Sequence, residues 1–419
     1  MTGPQEAPFE GHRHGSTEYK NLILALFAAG VATFSQLYSV QGVLPELGRD
    51  LKIQDSQAAL AVSAATMGLA IAVIPWSVVA DRIGRLKTMT YSIVGAVIFG
   101  FLVPWSPTFE ILLALRFCEG VVLGGIPAVA LVYLTEEVTR THAAIAAATY
   151  VSGTTIGGLA GRLIAGPLSE FINWRVGTFV VSCMAAAAAL IFIKKAPKPR
   201  GFTPISREQA KASPDYQNIF RKLGWALHQP ALIAIYAQGF LLMGGFVATY
   251  NYLAFRLEAP PFFIPASLAS LMFVAYLAGT WSSRRAGHYA LKLGRFKVLL
   301  IALAIALTGL AVTLIESIPV IIVGLLIYTA GFFGAHSIAS GWIPRIATQN
   351  RAQATSLYNL FYYVGSSLFG WLIGYAFTAA GWPALVACVA GLVALSGAIA
   401  VVLLKNQPGS QPIAPELLK

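Results

Sequence analysis

The feature that most constrains this chain is a series of long apolar runs, each about 20 residues, separated by short polar stretches. A helix needs roughly 20 predominantly apolar residues to cross the hydrocarbon core of a bilayer. In lipid every backbone amide must find its partner within its own segment, so such runs are helices. Runs near 21–43, 57–80, 88–105, 109–134, 143–169, 173–193, 229–254, 266–283, 297–315, 319–343, 352–378 and 382–404 predict twelve spans in an all-α membrane protein. Composition agrees, because only 11% of the residues are charged where soluble domains carry roughly a quarter. The first run is not read as a cleaved signal: residues 1–19 carry three glutamates and no small-residue cleavage site closes the run.

The net charge of +12 would suggest nucleic acid in a soluble protein. Here its placement is the informative part. With an even number of spans both termini share one side, and 23 of the 29 lysines and arginines fall on that side's flanks and loops. Only Arg49, Lys52, Arg175 and Arg256 are assigned to the opposite loops, while Arg116 and Arg162 fall inside spans. The positive-inside rule then predicts a cytoplasmic (inner) membrane protein with both termini and the central loop in the cytoplasm. No nucleic-acid partner is needed to explain the charge.

The longest polar stretch begins Lys194-Lys195-Ala196-Pro197-Lys198-Pro199-Arg200 and carries eight basic residues up to Gln229. It reads as a solvated linker near anionic headgroups, with a regulatory role as the alternative. The expected organisation is a cytoplasmic tail (1–20), a six-helix bundle (21–193), the linker (194–228), a second six-helix bundle (229–404) and a cytoplasmic tail (405–419). The bundles look like copies. Val31-Ala32-Thr33-Phe34-Ser35 reappears as Val247-Ala248-Thr249-Tyr250-Asn251, Gly84-Arg85-Leu86-Lys87 as Gly294-Arg295-Phe296-Lys297, and Gly161-Arg162-Leu163-Ile164 as Gly370-Trp371-Leu372-Ile373. Three matches in order at a near-constant offset point to duplication, and such halves hold a site at the midplane and rock about it.

Between the second and third runs stands Ser77-Val78-Val79-Ala80-Asp81-Arg82-Ile83-Gly84-Arg85-Leu86-Lys87. It resembles the cytoplasmic signature of the major facilitator superfamily, G-x-x-x-D-R-x-G-R-[RK], with Ser77 in place of the first glycine and Leu86 in a usually basic place. Gly84 permits a tight turn, and Asp81 is positioned to accept from amides at a neighbouring helix N-terminus. In the second copy Leu291 stands at the Asp81 position. Arg116-Phe117-Cys118-Glu119-Gly120 resembles the R-x-x-x-G signature of proton-coupled exporters in that superfamily. Gly153, Gly157 and Gly161, continuing to Gly166-Pro167, resemble its glycine-rich antiporter motif, with the terminal Gly-Pro displaced. The resemblance covers the chain and implies two six-helix bundles with internal 3+3 inverted repeats. It also implies that Asp81, Arg82, Gly84 and Arg85 belong to a conformational gate. Its drug and metabolite exporter branch, including those labelled sugar-efflux permeases, is the nearest in pattern.

The residues themselves narrow the chemistry. Arg116 and Glu119 are three apart and share a helix face inside the membrane, where exposure to lipid would cost several kcal/mol. One reading is a neutralised packing pair. The other is that Glu119 exchanges a proton during transport, since burial opposes its ionisation and a nearby cation favours it. Family members often keep an acid in the first span, and this chain has none there. Glycines at four-residue spacing let helices approach closely, including spans of different halves that move against each other. Arg162 can snorkel, pair across the bundle or bind an anion, in that order of preference.

Thr33, Gln36, Tyr38 and Gln41, Gln238, Tyr250, Asn251 and Tyr252, and Tyr358, Asn359, Tyr362 and Tyr363 are candidates for a neutral, aromatic-walled cavity. For those near span ends an interfacial belt is the plainer reading. Such a cavity suits a sugar-like, aromatic or amphipathic solute rather than a multiply charged anion. His336 is read as structural, with proton relay the alternative. Cys118, Cys183 and Cys388 lie in separate spans and are read as buried thiols without disulfide or metal.

Neither H-E-x-x-H nor G-x-S-x-G appears, which speaks against a membrane enzyme. The absence of a G-x-x-x-x-G-K-[ST] loop leaves ion gradients as the driving force. No cofactor is expected. The predicted protein is a monomeric secondary transporter of a small molecule, coupled to protons and exporting, with uptake as the alternative.

Overall fold

The computed structural model describes residues 9–139, 141–202 and 218–412. Arg140 and the 203–217 part of the linker, both counted in the charge asymmetry, lie outside the described residues, as do the tail ends 1–8 and 413–419.

Apolar runs become helices, and polar or glycine positions between them become turns. The helices are α1 (Thr17–Leu37), α2 (Leu44–Leu51), α3 (Asp55–Ile83), α4 (Arg85–Leu102), α5 (Phe109–Leu123), α6 (Gly125–Glu137), α7 (Ala143–Phe171) and α8 (Trp174–Lys195). They continue as α9 (Ile219–Leu227), α10 (Pro230–Glu258), α11 (Ala266–Ser270), α12 (Tyr276–Leu293), α13 (Arg295–Val312), α14 (Ile318–Ile346) and α15 (Arg351–Leu403). Among the described residues nine helical stretches are long and apolar enough to cross a membrane. The last of them has 53 residues, about 80 Å of helix and too long for one crossing. It breaks at Ala380 and Gly381, which leave helical geometry, Gly381 with φ +69°.

Helix starts follow local chemistry. Ser16 caps α1 by accepting from the Tyr19 amide, Thr108 caps α5, and Asn173 caps α8. The α3–α4 and α12–α13 turns both pass through a glycine at positive φ, Gly84 (+96°) and Gly294 (+85°). The repeated Gly-Arg-x-Lys sequence therefore makes the same turn twice, where a side chain would be strained.

Contacts sort the loops onto two faces. Trp174 donates to Asp50, Arg175 to the Pro104 and Ser106 carbonyls, and Arg49 to Glu258. On the face that holds the termini, Arg85 meets Glu136, the His12 amide meets the Glu137 carbonyl, and Trp342 donates to the Pro408 carbonyl. The segment after each sixth run also folds back onto its own half. Arg85 lies over the Phe202 ring, and the Arg295 and Phe296 amides donate to the Gly409 and Ser410 carbonyls.

Several sequence expectations change here. The first span, read as one run over 21–43, is broken between α1 and α2. The span read as 266–283 continues ten residues further as α12, carrying Arg284 and Arg285 on a helix rather than a loop. Arg256, assigned to a loop, is in the last turn of α10, buried, donating to the Thr313 carbonyl and lying over Trp382. Cys183 and Cys388 are exposed on the helical surface and Cys118 is half-buried, so the expectation of buried thiols is wrong for two of them. A thiol is apolar enough to face lipid at little cost.

Candidate functional site

The site begins with the interruption of the first span. α1 ends at Leu37, the chain turns through Tyr38–Val40, makes a single 3-10 turn over Gln41–Val43 and restarts as α2. Pro45 in the first turn of α2 costs nothing, because its missing N–H would have been unpaired there. Gly42 allows a close approach: a Cβ there would sit 3.0 Å from the Arg162 carbonyl oxygen, a tight contact.

A helix that ends inside a membrane leaves carbonyls without partners. Ser39 donates to the Gln36 carbonyl through its amide and its hydroxyl, and Arg116, fully buried on α5, supplies the rest. Its Nη1 donates to the Gln36 carbonyl (3.0 Å), its Nη2 to the Leu37 carbonyl (2.6 Å) and its Nε to the Ala61 carbonyl of α3 (3.1 Å). The same Nη1 donates to the Glu119 carboxylate at 2.5 Å, and Glu119 is also buried. The cation therefore sits at the C-terminal, negative end of α1 and is neutralised by Glu119. The sequence showed that Arg116 and Glu119 share a face; it did not show that they hold a broken helix.

Past the break, Gln41 occupies the centre of a second network. Arg162 of α7, 2% exposed, directs both Nε (2.8 Å) and Nη2 (2.5 Å) at the Gln41 side-chain oxygen, while its Nη1 donates to the Gly158 carbonyl. The Gln41 amide donates to the Asn251 side-chain oxygen of α10 (2.7 Å), and Asn251 donates to the Gly370 carbonyl of α15 (3.2 Å). The rings of Tyr38, Phe273 and Tyr276 lie 4.3, 4.8 and 4.9 Å from the Arg162 guanidinium carbon. Arg162 thus neither snorkels nor meets a carboxylate among the described residues.

The network joins the two copies. Other polar contacts between them among the described residues are Arg49 with Glu258 (2.8 Å), the Ser267 amide with Glu170 (2.7 Å), and Ser367 with Ser63 and Thr66 (2.9 and 2.7 Å). All lie between mid-depth and the face opposite the termini. Gly166 belongs here too, since a Cβ on it would meet Ser270 of the other copy. The remaining glycines of the motif do not join the copies. Gly153, Gly157 and Gly161 lie against the backbone of Phe27, Val31 and Ser35 in α1 of the same copy. A Cβ on Gly157 or Gly161 would come within 2.5 Å of a carbonyl oxygen. Their spacing correctly implied close approach, while Gly166, next to Pro167, makes the contact between copies.

On the terminal face Asp81 pairs with Arg85 one helical turn on, instead of accepting from helix amides as expected. Arg85 also forks onto Glu136 at the end of α6 (3.0 Å). Arg82 is exposed. Glu136 was missed by sequence reasoning, though the Glu136-Glu137 doublet at a span end was a visible signal.

The cavity candidates divide. Tyr38 faces Arg162, Asn251 holds Gln41, and Tyr250 stacks on Phe273 (5.4 Å) and donates to or accepts from Thr329. Tyr358 bonds His336 (2.8 Å), which also packs against Tyr362 (4.8 Å); Asn359 is half-buried. Thr33 instead donates to its own helix at Ala29, and Gln36 points toward Gly100 of α4. Gln238 exchanges hydrogen bonds with Ser396. Thr33 and Gln238 are thus hydrogen-bonded within their own copies, while Gln36 packs within its own copy with its side-chain amide nitrogen buried and unpartnered. Phe273 and Tyr276 were missed, because an aromatic residue in an apolar run gives no signal of its direction.

The chain, an all-helical fold with a break in its first span, has clear relatives. The model of the Major Facilitator Superfamily matches residues 23–369. An inner membrane transport protein of Escherichia coli, YnfM, is 36% identical over 378 residues, covering 90% of this chain and 89% of its own. An uncharacterized MFS-type transporter of Bacillus subtilis, YybF, is 34% identical over 377 residues, covering 90% and 92%. Among solved structures the nucleoside transporter NupG superposes with TM-score 0.75 at 14% identity, covering 92% of this chain and 100% of its own. A bacterial homologue of the human lysosomal transporter Spinster gives 0.70 at 17%, covering 92% and 95%. The chain is a multi-pass membrane transporter and belongs to the major facilitator superfamily.

Proposed function

We propose that the protein spans the cytoplasmic membrane twelve times with both termini in the cytoplasm and works as a monomer. It exports a small organic solute by alternating access in exchange for protons. The charge asymmetry of the loops supports the orientation. In that orientation the contacts between copies close the outer half of the molecule and make this an inward-open conformation.

The observation that carries the reading is the continuous path from Glu119 to the closed outer half. Glu119 binds Arg116, Arg116 holds the broken end of α1, and the break presents Gln41 to Asn251 in the other copy. Protonating Glu119 removes the counter-charge of Arg116 and leaves the burial of that cation against the end of α1 uncompensated. Deprotonation restores the neutral pair. A carboxylate stripped of its cation at this depth would be costly, so the two states favour different conformations. The neutral and aromatic groups around Tyr38, Tyr250, Asn251, Tyr358 and Tyr362 suit a sugar-like, aromatic or amphipathic solute.

The test uses inverted membrane vesicles carrying a pH gradient, with a fluorescent base reporting its collapse as members of a solute panel are added. A transported solute is expected to dissipate the gradient with the native protein and not with Glu119→Gln. Gradient-driven transport that survives in Glu119→Gln overturns proton exchange at this residue. A deletion strain that loses growth on a nutrient, rather than gaining sensitivity to one, reverses the direction.

A further inference from the structure

Arg162 is a buried cation whose in-plane fork is turned on a neutral amide oxygen. Arg116, at similar depth, has Glu119 against it; Arg162 has no carboxylate partner among the described residues. A guanidinium matches the two oxygens of a carboxylate, and a charged acceptor binds it about twice as strongly as a neutral one. Gln41 offers a single oxygen to both Nε and Nη2. The flat faces of the guanidinium are walled by Tyr38, Phe273 and Tyr276. Tyr276 is partly exposed.

We infer that Arg162 binds the carboxylate of an aromatic or apolar monocarboxylate substrate, and that binding displaces Gln41 and so releases the Gln41–Asn251 contact between the copies. This deepens the reading of the protein as a solute transporter and rests on it. The charge of the substrate is set by the site. Arg162 is one cation, Arg116 is already neutralised, and Arg256, five residues beyond Asn251 on α10, is engaged with the Thr313 carbonyl and the Trp382 ring. One negative charge is therefore matched and a second is not. The body of the substrate is set by the three rings, which stack on a planar apolar group and leave few hydrogen bonds for a polyol.

The consequence for transport follows from the shared residue. Gln41 cannot follow its oxygen away from Arg162 and keep its amide on Asn251. A carboxylate on Arg162 thus unlatches the outer half from within, so that the loaded carrier opens outward and the empty one does not. A neutral solute of the same shape leaves the latch in place.

The full-length protein in detergent and in liposomes, with its three cysteines replaced, provides the test. Benzoate serves as the probe and benzyl alcohol as its neutral counterpart, with quenching of tryptophan fluorescence for binding. Spin labels at Lys52 and Ala259 report the separation of the copies on the opposite face. Benzoate is expected to bind at least about tenfold more tightly than benzyl alcohol and to widen the label distance. Arg162→Gln is expected to lose that tenfold preference while still binding benzyl alcohol, which shows that it is folded. Arg162→Lys is expected to keep part of the preference, and Gln41→Ala to bind benzoate more tightly than the native protein while its labels are already apart. Equal binding of the two probes by the native protein, or unchanged preference in Arg162→Gln, overturns the inference. A benzoate preference that persists while transport ignores the pH gradient refutes proton exchange and leaves the anion site standing.

Discussion

The two copies share a scaffold and differ in what they bury. In both, a helix lined with glycine lies along the first helix of its unit: Gly153, Gly157 and Gly161 on α1, and Gly365 and Gly370 on α10. Around that common frame the first copy buries charge, with Arg116, Glu119 and Arg162 all at 2% exposure or less. The second copy buries rings. Phe246 stacks on Phe332 at 3.9 Å, Tyr250 packs on Phe246, Phe273 and Tyr276, and Phe332 continues to His336 and Tyr362. Helix-to-helix packing is therefore alike in the two halves, where it depends on small residues at close approach. The two linings differ: one holds buried charges and the other a wall of packed rings.

That contrast can be broken most sharply at Arg116. Arg116→Ala leaves Glu119 without its cation and the Leu37 carbonyl without its donor, while the Gln36 carbonyl keeps only Ser39. A loss of about 3–5 kcal/mol follows for removing one member of a buried pair, read as a fall in folded yield and in the detergent unfolding midpoint. The double variant Arg116→Met/Glu119→Met is expected to recover part of that stability and none of the transport. Stability of Arg116→Ala equal to the native protein would mean that α1 does not need its broken end held.

In the second copy the corresponding probe is Phe246→Ala. The ring touches several others, so its removal should cost about 3 kcal/mol as a packing defect. The pH dependence of transport should stay as it is, because no charge has been touched. A shifted pH profile would erase the division of labour between the copies. The smallest effect is expected at the rim. Arg49 is 58% exposed on its side chain and pairs with Glu46 and Glu258, and such surface pairs contribute roughly 0–1 kcal/mol. Arg49→Ala should therefore hardly move stability. It should raise the labelling rate of a cysteine placed at Ser267 severalfold, since a small free energy shifts a closely balanced two-state equilibrium.

How much of this was legible depends on range. The Asp81–Arg85 pair is one helical turn long and lay inside a recognisable motif, whereas its partner Glu136 is 51 residues from Arg85. Arg116 and Glu119 were visible as a pair at helical spacing, but the role of that pair required knowing that α1 stops at Leu37. Tyr38-Ser39-Val40-Gln41-Gly42 is a short polar dip, but the stretch around it stays apolar on average, so hydropathy over about 20 residues does not mark the break. Arg162 was conspicuous as a cation inside a span. Its partner Gln41 is 121 positions away, and one of several polar candidates in the first span. Thr33 and Gln36 in that same span turned out to face their own copy, since a helix presents successive residues to different neighbours.

By itself the sequence determined that the chain is a bundle of membrane helices, that its halves carry repeated motifs, and which of its few charges inside spans are unusual. These are local properties: hydropathy over about 20 residues, the placement of lysine and arginine, and motif spacing. Only the tertiary structure decided which copy each glycine packs against, that Arg116 holds a severed helix, and that Arg162, Gln41 and Asn251 form one chain across the molecule. Side chains from helices far apart in sequence meet there because backbone geometry brings them within hydrogen-bonding distance. In a membrane interior those few polar groups find their partners in one another.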